Sequence, residues 1–389
     1  MAAQKALVVG AGIGGLTAAL CLSKQGFDVV VFEQSNHLSE IGAGIQLSPN
    51  CSRVLHYLGL EPVISRTAFV PEGTEIRHWK SGEMLSSIRR RQSPVNNSSP
   101  YYHIHRADLI AALTESIDSN PRIEIHTSSK IEAFQQEGNV ANLILDDKEI
   151  SGDLIVGADG IHSVIREGLF GDDEPQFTGN VAWRGLVPAD KFTKGLVRPV
   201  TGLWWGPGKH FVHYYVRGGE MINCVCVVEK KGWEVESWTE RGDHSELVQE
   251  FTGWHETIVG LIDAMETEVC YQWALFDRAP LQRWGSGHVT LLGDACHATL
   301  PFLAQGAAMA IEDAAVLAAS VATHGIEKGL EIYEQLRKVR TAKIQNVSRR
   351  NAKIFHMRGI NAWARNRVAG IATKNTMNWI YDYDVLDVV

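Results

Sequence analysis

The sequence predicts an α/β fold: a Rossmann-like nucleotide-binding domain interrupted by a mainly antiparallel β-sheet domain and completed by C-terminal helices. Three observations predict it. Residues 5–32 read as an apolar strand, a glycine turn, a helix and a second strand. From about residue 181 to 270 the pattern changes to β-type alternation, with tryptophans at 183, 204 and 205. An apolar strand at 289–292 and a long alanine-rich helix then restore the first pattern.

The glycine turn is Gly10-Ala11-Gly12-Ile13-Gly14-Gly15. Gly10 makes the tight turn, Gly12 lets the backbone approach a pyrophosphate, and Gly15 lets helix and strand pack closely. The phosphates then lie on the positive end of the helix that follows. Glu33 ends the second strand, beside Gln34. A carboxylate there accepts from both ribose hydroxyls and repels an additional phosphate, so the tightly held adenosine belongs to FAD or NAD and not to NADP.

Next comes an irregular glycine stretch, Gly42-Ala43-Gly44-Ile45-Gln46, and a helix expected to be capped by Asn50, with Val54, Leu55 and Leu58 on one face. A hairpin turning at Ser81-Gly82 is expected over residues 74–88, a helix over 107–117, and a small sheet over 122–145. The apolar run 154–157 ends at Asp159-Gly160 and leads into a helix, as the strand at 289–292 ends at Gly293-Asp294. An aspartate beside a glycine turn caps a helix or binds a sugar hydroxyl, and the two roles coexist.

A chain of 389 residues accommodates two domains, and 45% apolar with 21% charged residues is ordinary for a globular protein. A net charge of -8 argues against nucleic acid as the main partner. The six cysteines form no C-x-x-C pair, which predicts buried free thiols, no metal site and a reducing compartment. The first strand begins at once, so no signal peptide is expected, and Glu312 and Asp313 interrupt the apolar run near residue 310. A cytoplasmic, membrane-free protein is the expectation. Residues 335–381 contain no acid but many bases, among them Arg337, Arg340, Arg349, Arg358 and Arg365. Such helices read as solvated faces, or as a positive field that draws in an anionic substrate and reduced pyridine nucleotide.

With the first fingerprint, the runs Gly157-Ala158-Asp159-Gly160 and Gly293-Asp294-Ala295-Cys296-His297, and the run His105-Arg106-Ala107-Asp108, form a set. On this set the chain resembles the single-component FAD-dependent aromatic hydroxylases over essentially its whole length. The resemblance implies a para-hydroxybenzoate hydroxylase-like fold, with an FAD domain at 1–72, 104–178 and 279–389 and a substrate domain at 73–103 and 179–278. It implies FAD contacts at Gly10, Gly12, Ile13, Gly14, Gly15, Glu33, Gln34, Gly44, Ile45, Arg106, Asp159 and Asp294. It extends them to Pro301, Gly306, Ala307 and Ala308, where a helix start can stabilise a reduced, anionic flavin. No second G-x-G-x-x-G is present. The family does not need one, because NADH or NADPH binds transiently.

The reaction implied is hydride transfer from NAD(P)H to FAD, capture of O2 as a flavin hydroperoxide, and hydroxylation of a small aromatic ring. His210 and Tyr214 share one face of an expected strand, where they can bind a phenolate or relay its proton. They resemble the active-site pair of 3-hydroxybenzoate and 6-hydroxynicotinate hydroxylases. Gln46 and Pro301 complete the expected substrate pocket. Gln46 resembles the 3-hydroxybenzoate type, but those enzymes carry a glutamine where this chain has Pro301, and the runs at 293–297 and 304–307 with the 379–384 ending resemble the 6-hydroxynicotinate and salicylate types, so the substrate and any decarboxylation stay open. An oxygen-independent FAD oxidoreductase and a non-catalytic FAD-binding protein are the alternatives. The family leaves the oligomeric state open, a homodimer being common.

Overall fold

The computed structural model describes residues 3–38, 43–89, 99–193, 195–230, 242–266, 270–373 and 376–388. Its first layer is a six-stranded sheet in the order Gly285–Ser286, Val289–Leu291, Leu154–Gly157, Lys5–Val9, Asp28–Phe32, Ile123–His126, with all neighbours parallel except the first pair. Strand Lys5–Val9 is apolar from Ala6 onward because both of its faces are covered, and Leu7 and Val8 are fully buried. Parallel register aligns Val9 with both Gly157 and Phe32, and Gly157 with Leu291. The residues that follow these strands therefore emerge along one edge of the sheet.

The helices Ile13–Lys24 and Gly306–His324 pack on each other. A Cβ at Gly14 would lie 2.8 Å from Leu292 and 3.2 Å from Ala310, so the small residue sets this close approach. Helix Gly306–His324 is long and apolar enough to cross a membrane, yet most of it is buried within the protein. Its Glu312 and Asp313 do not merely interrupt an apolar run. Arg337 reaches Glu312 at 2.6 Å and Asp313 at 2.7 Å, while Arg340 reaches Glu312 at 2.7 Å.

The second layer is a seven-stranded sheet ordered Tyr271–Asp277, Gln176–Pro188, Met221–Glu229, Lys209–Val216, Thr201–Gly206, Gly73–His78, Met84–Arg89. Its pairs are antiparallel except Thr201–Gly206 with Gly73–His78. Alternation divides its strands between two apolar clusters. Trp183, Phe211, Cys224 and Cys226 pack under helices His244–Glu250 and Glu256–Asp263, and Trp205, Val225, Val227 and Trp273 pack with Phe302, Phe355 and Ala369. A two-stranded ladder, Gly44–Leu47 with Tyr102–His105, lies beside the seven-stranded sheet.

The expected hairpin and the helix that runs over Arg106–Asp118 are present. Other expectations are corrected. Residues 122–145 do not form one small sheet: Ile123–His126 joins the six-stranded sheet, and only Ala133–Glu137, Val140–Leu145 and Lys148–Gly152 form the separate one. The β-patterned region also contains two helices, His244–Glu250 and Glu256–Asp263, and in the second Ile258, Leu261 and Ile262 recur at helical spacing. Ser48, not Asn50, is the N-cap of helix Pro49–Tyr57. The Asn50 amide is committed elsewhere, donating to Glu312 at 2.6 Å and to Gln305 at 3.1 Å. The basic stretch is divided: Lys343, Arg350, Lys353 and Arg367 are exposed, as a solvated face would be, and other bases are engaged. Arg337, Arg340 and Arg365 are buried, and Arg349 and Arg358 pair with Asp277 and Glu229. All six cysteines are buried free thiols.

Candidate active site

Four strand tips build the first half of the site. Gly10 adopts φ +99°, and a Cβ there would lie 2.5 Å from the Ala158 carbonyl. A Cβ at Gly15 would lie 1.9 Å from the Gly10 carbonyl, so each of these positions admits only glycine. Gly12 differs: a Cβ there would meet nothing within 4 Å. Its open face is the approach a pyrophosphate needs, and Gly12 caps helix Ile13–Lys24 with no side-chain bond to the first turn.

Glu33 supports the loop directly. One carboxylate oxygen accepts from the Ala11 N–H at 2.8 Å and the other from the Ser35 N–H at 2.9 Å. Each oxygen retains a lone pair for a ribose hydroxyl. Asp159 accepts from Ser163 Oγ at 2.5 Å and from the Ile165 N–H at 3.2 Å, so its carboxylate anchors the start of helix Val164–Phe170. Asp294 is different in being exposed, in the first turn of Asp294–His297. Opposite it, burial pushes the Arg106 guanidinium down to about 10; Asp294 opposes that shift and Arg184 adds to it. Arg184 stacks 4.6 Å over the Trp273 ring and went unnoticed in the sequence. Its only signal is that it is the one charged residue of strand Gln176–Pro188.

Helix Gly306–His324 forms the other side of the site. No side chain caps its first turn, so the N–H groups of Gly306, Ala307 and Ala308 have no side-chain acceptor and stand at the positive end of the helix dipole. The Gln305 side chain instead donates to Ser48 Oγ at 2.8 Å, tying this helix to the strand carrying Gly44, Ile45 and Gln46. Gly44 is enclosed. Its N–H donates to Asn223 Oδ1 at 2.7 Å, its carbonyl accepts from the Tyr214 hydroxyl at 2.6 Å, and a Cβ would lie 2.8 Å from both side chains.

A cavity of about 1850 Å³ opens against this arrangement. Gln46, Pro301, Phe302, His210, Trp205 and Phe355 line it, as do Arg89 and Arg350. His210 is buried, with Phe302 and Phe355 ring centroids 5.1 and 5.4 Å away. Its Nδ1 lies 2.8 Å from Nε2 of His356. Burial, then the neighbouring His356, hold the His210 imidazole well below its ordinary range, so the ring is neutral. Gln46 accepts from the Tyr101 hydroxyl at 2.5 Å, and its side chain also hydrogen-bonds the Tyr214 hydroxyl.

Tyr214 shares the strand face of His210 and is buried behind the cavity wall that His210 lines. Its ring lies 4.6 Å from that of His103, its hydroxyl is bound to Gly44, and burial raises its pKa. His213 faces away and accepts from Trp204 Nε1 at 3.1 Å.

A glycine turn opening onto a cleft, an exposed aspartate facing an arginine, and an uncapped helix start fit a dinucleotide bearing a flavin, which defines the class as a flavoprotein. The match to the family described as FAD binding domain spans residues 3–348. The chain belongs to that family of FAD-dependent hydroxylases and is an FAD-dependent monooxygenase. It is 35% identical over 386 residues to 3-amino-4-hydroxybenzoate 2-monooxygenase of Streptomyces platensis, covering 98% of this chain and 96% of that one. It is 36% identical over 388 residues to 3-hydroxybenzoate 6-hydroxylase of Polaromonas naphthalenivorans, covering 97% and 96%. Klebsiella pneumoniae HpxO, complexed with FAD and uric acid, superposes with a TM-score of 0.86 at 27% identity, covering 98% of this chain and 97% of its own.

Proposed function

We propose that this enzyme uses NADH or NADPH and O2 to hydroxylate a small hydroxylated aromatic carboxylate of the salicylate, hydroxybenzoate or hydroxynicotinate class, with amino-substituted hydroxybenzoates included. FAD, when bound, supplies the hydride acceptor and the oxygen activation. Gly10, Gly12, the 13–15 turn, Glu33, Gln34, Arg106, Asp159 and Asp294 hold it, with Gly44, Ile45, Pro301 and residues 306–308 beside its ring. The six-stranded sheet with its helices serves as the FAD domain and the seven-stranded sheet as the substrate domain.

The observation that carries the reading is a neutral imidazole, His210, on the wall of the cavity that Pro301 and Gln46 also line. A buried neutral imidazole accepts a phenolic proton, which makes the ring electron-rich at the carbon to be hydroxylated. Arg89 and Arg350 attract the carboxylate, and Trp205, Phe302 and Phe355 exclude water. Tyr214 acts through Gly44, positioning the loop beside the flavin instead of touching the substrate.

The test is NADH and NADPH oxidation by the FAD-loaded enzyme with salicylate, 3-hydroxybenzoate, 4-hydroxybenzoate, 3-amino-4-hydroxybenzoate and 6-hydroxynicotinate in turn. Oxygen, peroxide and product mass are followed together. One compound is expected both to accelerate oxidation and to gain an oxygen atom, with loss of carbon dioxide marking attack at the carboxyl-bearing carbon. Peroxide alone from every compound would remove the proposed pocket chemistry.

A further inference from the structure

His210 does not end in the apolar wall. Beyond it stands His356, the residue that closes helix Ile326–Phe355, and beyond that Glu229, the last residue of strand Met221–Glu229. His210 Nδ1 lies 2.8 Å from His356 Nε2, and His356 Nδ1 lies 3.3 Å from Glu229 Oε1. Both imidazoles are buried, whereas the Glu229 side chain is 42% exposed. Backbone bonds hold the three segments together: the Gly208 N–H donates to the His356 carbonyl at 3.0 Å and the Glu229 N–H to the Gly208 carbonyl at 2.9 Å.

Donor and acceptor bookkeeping fixes the protons along this line. An ionised carboxylate only accepts, so His356 carries its proton on Nδ1 and presents a lone pair at Nε2. His210 must then donate from Nδ1, which leaves its Nε2 unprotonated for the cavity. The charged and titratable groups around His356 are His210, Glu229, Arg358 and Arg365. Arg358 pairs with Glu229 at 2.7 Å, and Arg365 donates to the Ile354 and Phe355 carbonyls. Burial first, then the two arginines against the pull of Glu229, bring His356 down to about 4, so both imidazoles are neutral near pH 7.

We propose that Glu229 and His356 set the tautomer of His210 and carry the substrate's phenolic proton to solvent. The inference rests on the reading of His210 as the base of a phenol hydroxylase. The substrate O–H bond breaks as its proton joins His210 Nε2. The His210 Nδ1 proton passes to His356 Nε2, and the His356 Nδ1 proton passes to Glu229 and the water around it. The net products are a bound phenolate and one proton in solvent, with no change of oxidation state. His356 and Glu229 are positioning residues that never touch the ring.

Two measurements on the FAD-loaded enzyme test this. The first is the imidazole 15N spectrum, assigned with His210→Asn and His356→Asn. A neutral His210 protonated at Nδ1 is expected, and Glu229→Gln, at an exposed position, should shift both rings. A His210 protonated at Nε2 overturns the proposal whatever the substrate. The second is the rate at which a nitro-substituted salicylate turns into its coloured phenolate on binding, in H2O and D2O. His356→Asn should slow this step on the order of 10- to 100-fold and Glu229→Gln about 3- to 10-fold, with affinity little changed. If His210→Asn alone slows it, the relay fails and the base stands. If His210→Asn leaves it unchanged, the reading of His210 fails with it.

Discussion

The Tyr214 hydroxyl donates to the Gly44 carbonyl across 2.6 Å, joining the seven-stranded sheet to a glycine loop 170 positions earlier in the chain. The same glycine receives Asn223 on its N–H side, so one residue without a side chain is clamped between two from another sheet. Gly44 thus couples the sheet that carries His210 to the loop assigned to the flavin.

Removing the clamp separates positioning from catalysis. Tyr214→Phe deletes the buried hydrogen bond to Gly44, worth about 1 kcal/mol, together with the bond to the Gln46 side chain, and leaves the Gly44 carbonyl poorly satisfied. Weakening of FAD binding by roughly 3- to 10-fold is expected, with a smaller change in turnover at saturating FAD. Flavin fluorescence during dilution reads the affinity. Loss of turnover with unchanged FAD affinity would return Tyr214 to a direct role in the chemistry.

Removing the imidazole should do the reverse. His210→Ala is expected to keep stoichiometric FAD and lose hydroxylation by a factor on the order of 10² to 10⁴. Because burial holds the His210 pKa far below 6.5, its lone pair survives acidification. The rate of phenolate formation should therefore show no loss on lowering the pH through 6.5. A fall of that rate with a midpoint near 6.5, absent in His210→Asn, would contradict a neutral buried base.

Asp294 offers a test of the cofactor side. Its exposed carboxylate opposes the depression of Arg106, and Arg184 adds to that depression. Asp294→Ala should lower the flavin-to-protein absorbance ratio of the purified enzyme while the circular dichroism of the fold is retained, since its side chain caps nothing. A full complement of flavin in this variant would contradict the assigned contact.

What the sequence disclosed and what it concealed divide along contact distance in the chain. The glycine turn, the strand tips at Glu33, Asp159 and Asp294 and the His210 strand face were legible because each depends on periodicity or spacing within about ten residues. The partners were not. Asn50 meets Glu312 across 262 positions and His210 meets His356 across 146, pairings that leave no local pattern. Arg337 and Arg340 read as surface charge because the chain carries bases and no acid from residue 335 to 381, and only the packing of one helix on another places Glu312 and Asp313 against them.

That buried cluster carries the last prediction. Burial alone would raise the pKa values of Glu312 and Asp313. For Glu312 the opposing charges are Arg337 and Arg340, for Asp313 they are His297 and Arg337, and both carboxyls are held below their ordinary values. A carboxylate depressed on folding stabilises above its unfolded pKa, and that stability is lost as pH falls through the folded value. The window therefore lies below about pH 4, where both acids titrate in the unfolded chain. Glu312→Gln removes one partner of a buried pair while Arg337 and Arg340 stay, so a loss of about 3 to 5 kcal/mol is expected at pH 7. The difference from the natural protein should narrow as the pH drops below 4. Urea unfolding of both proteins at pH 7 and pH 3.5 measures it, and a pH-independent difference would assign the loss to packing and not to charge.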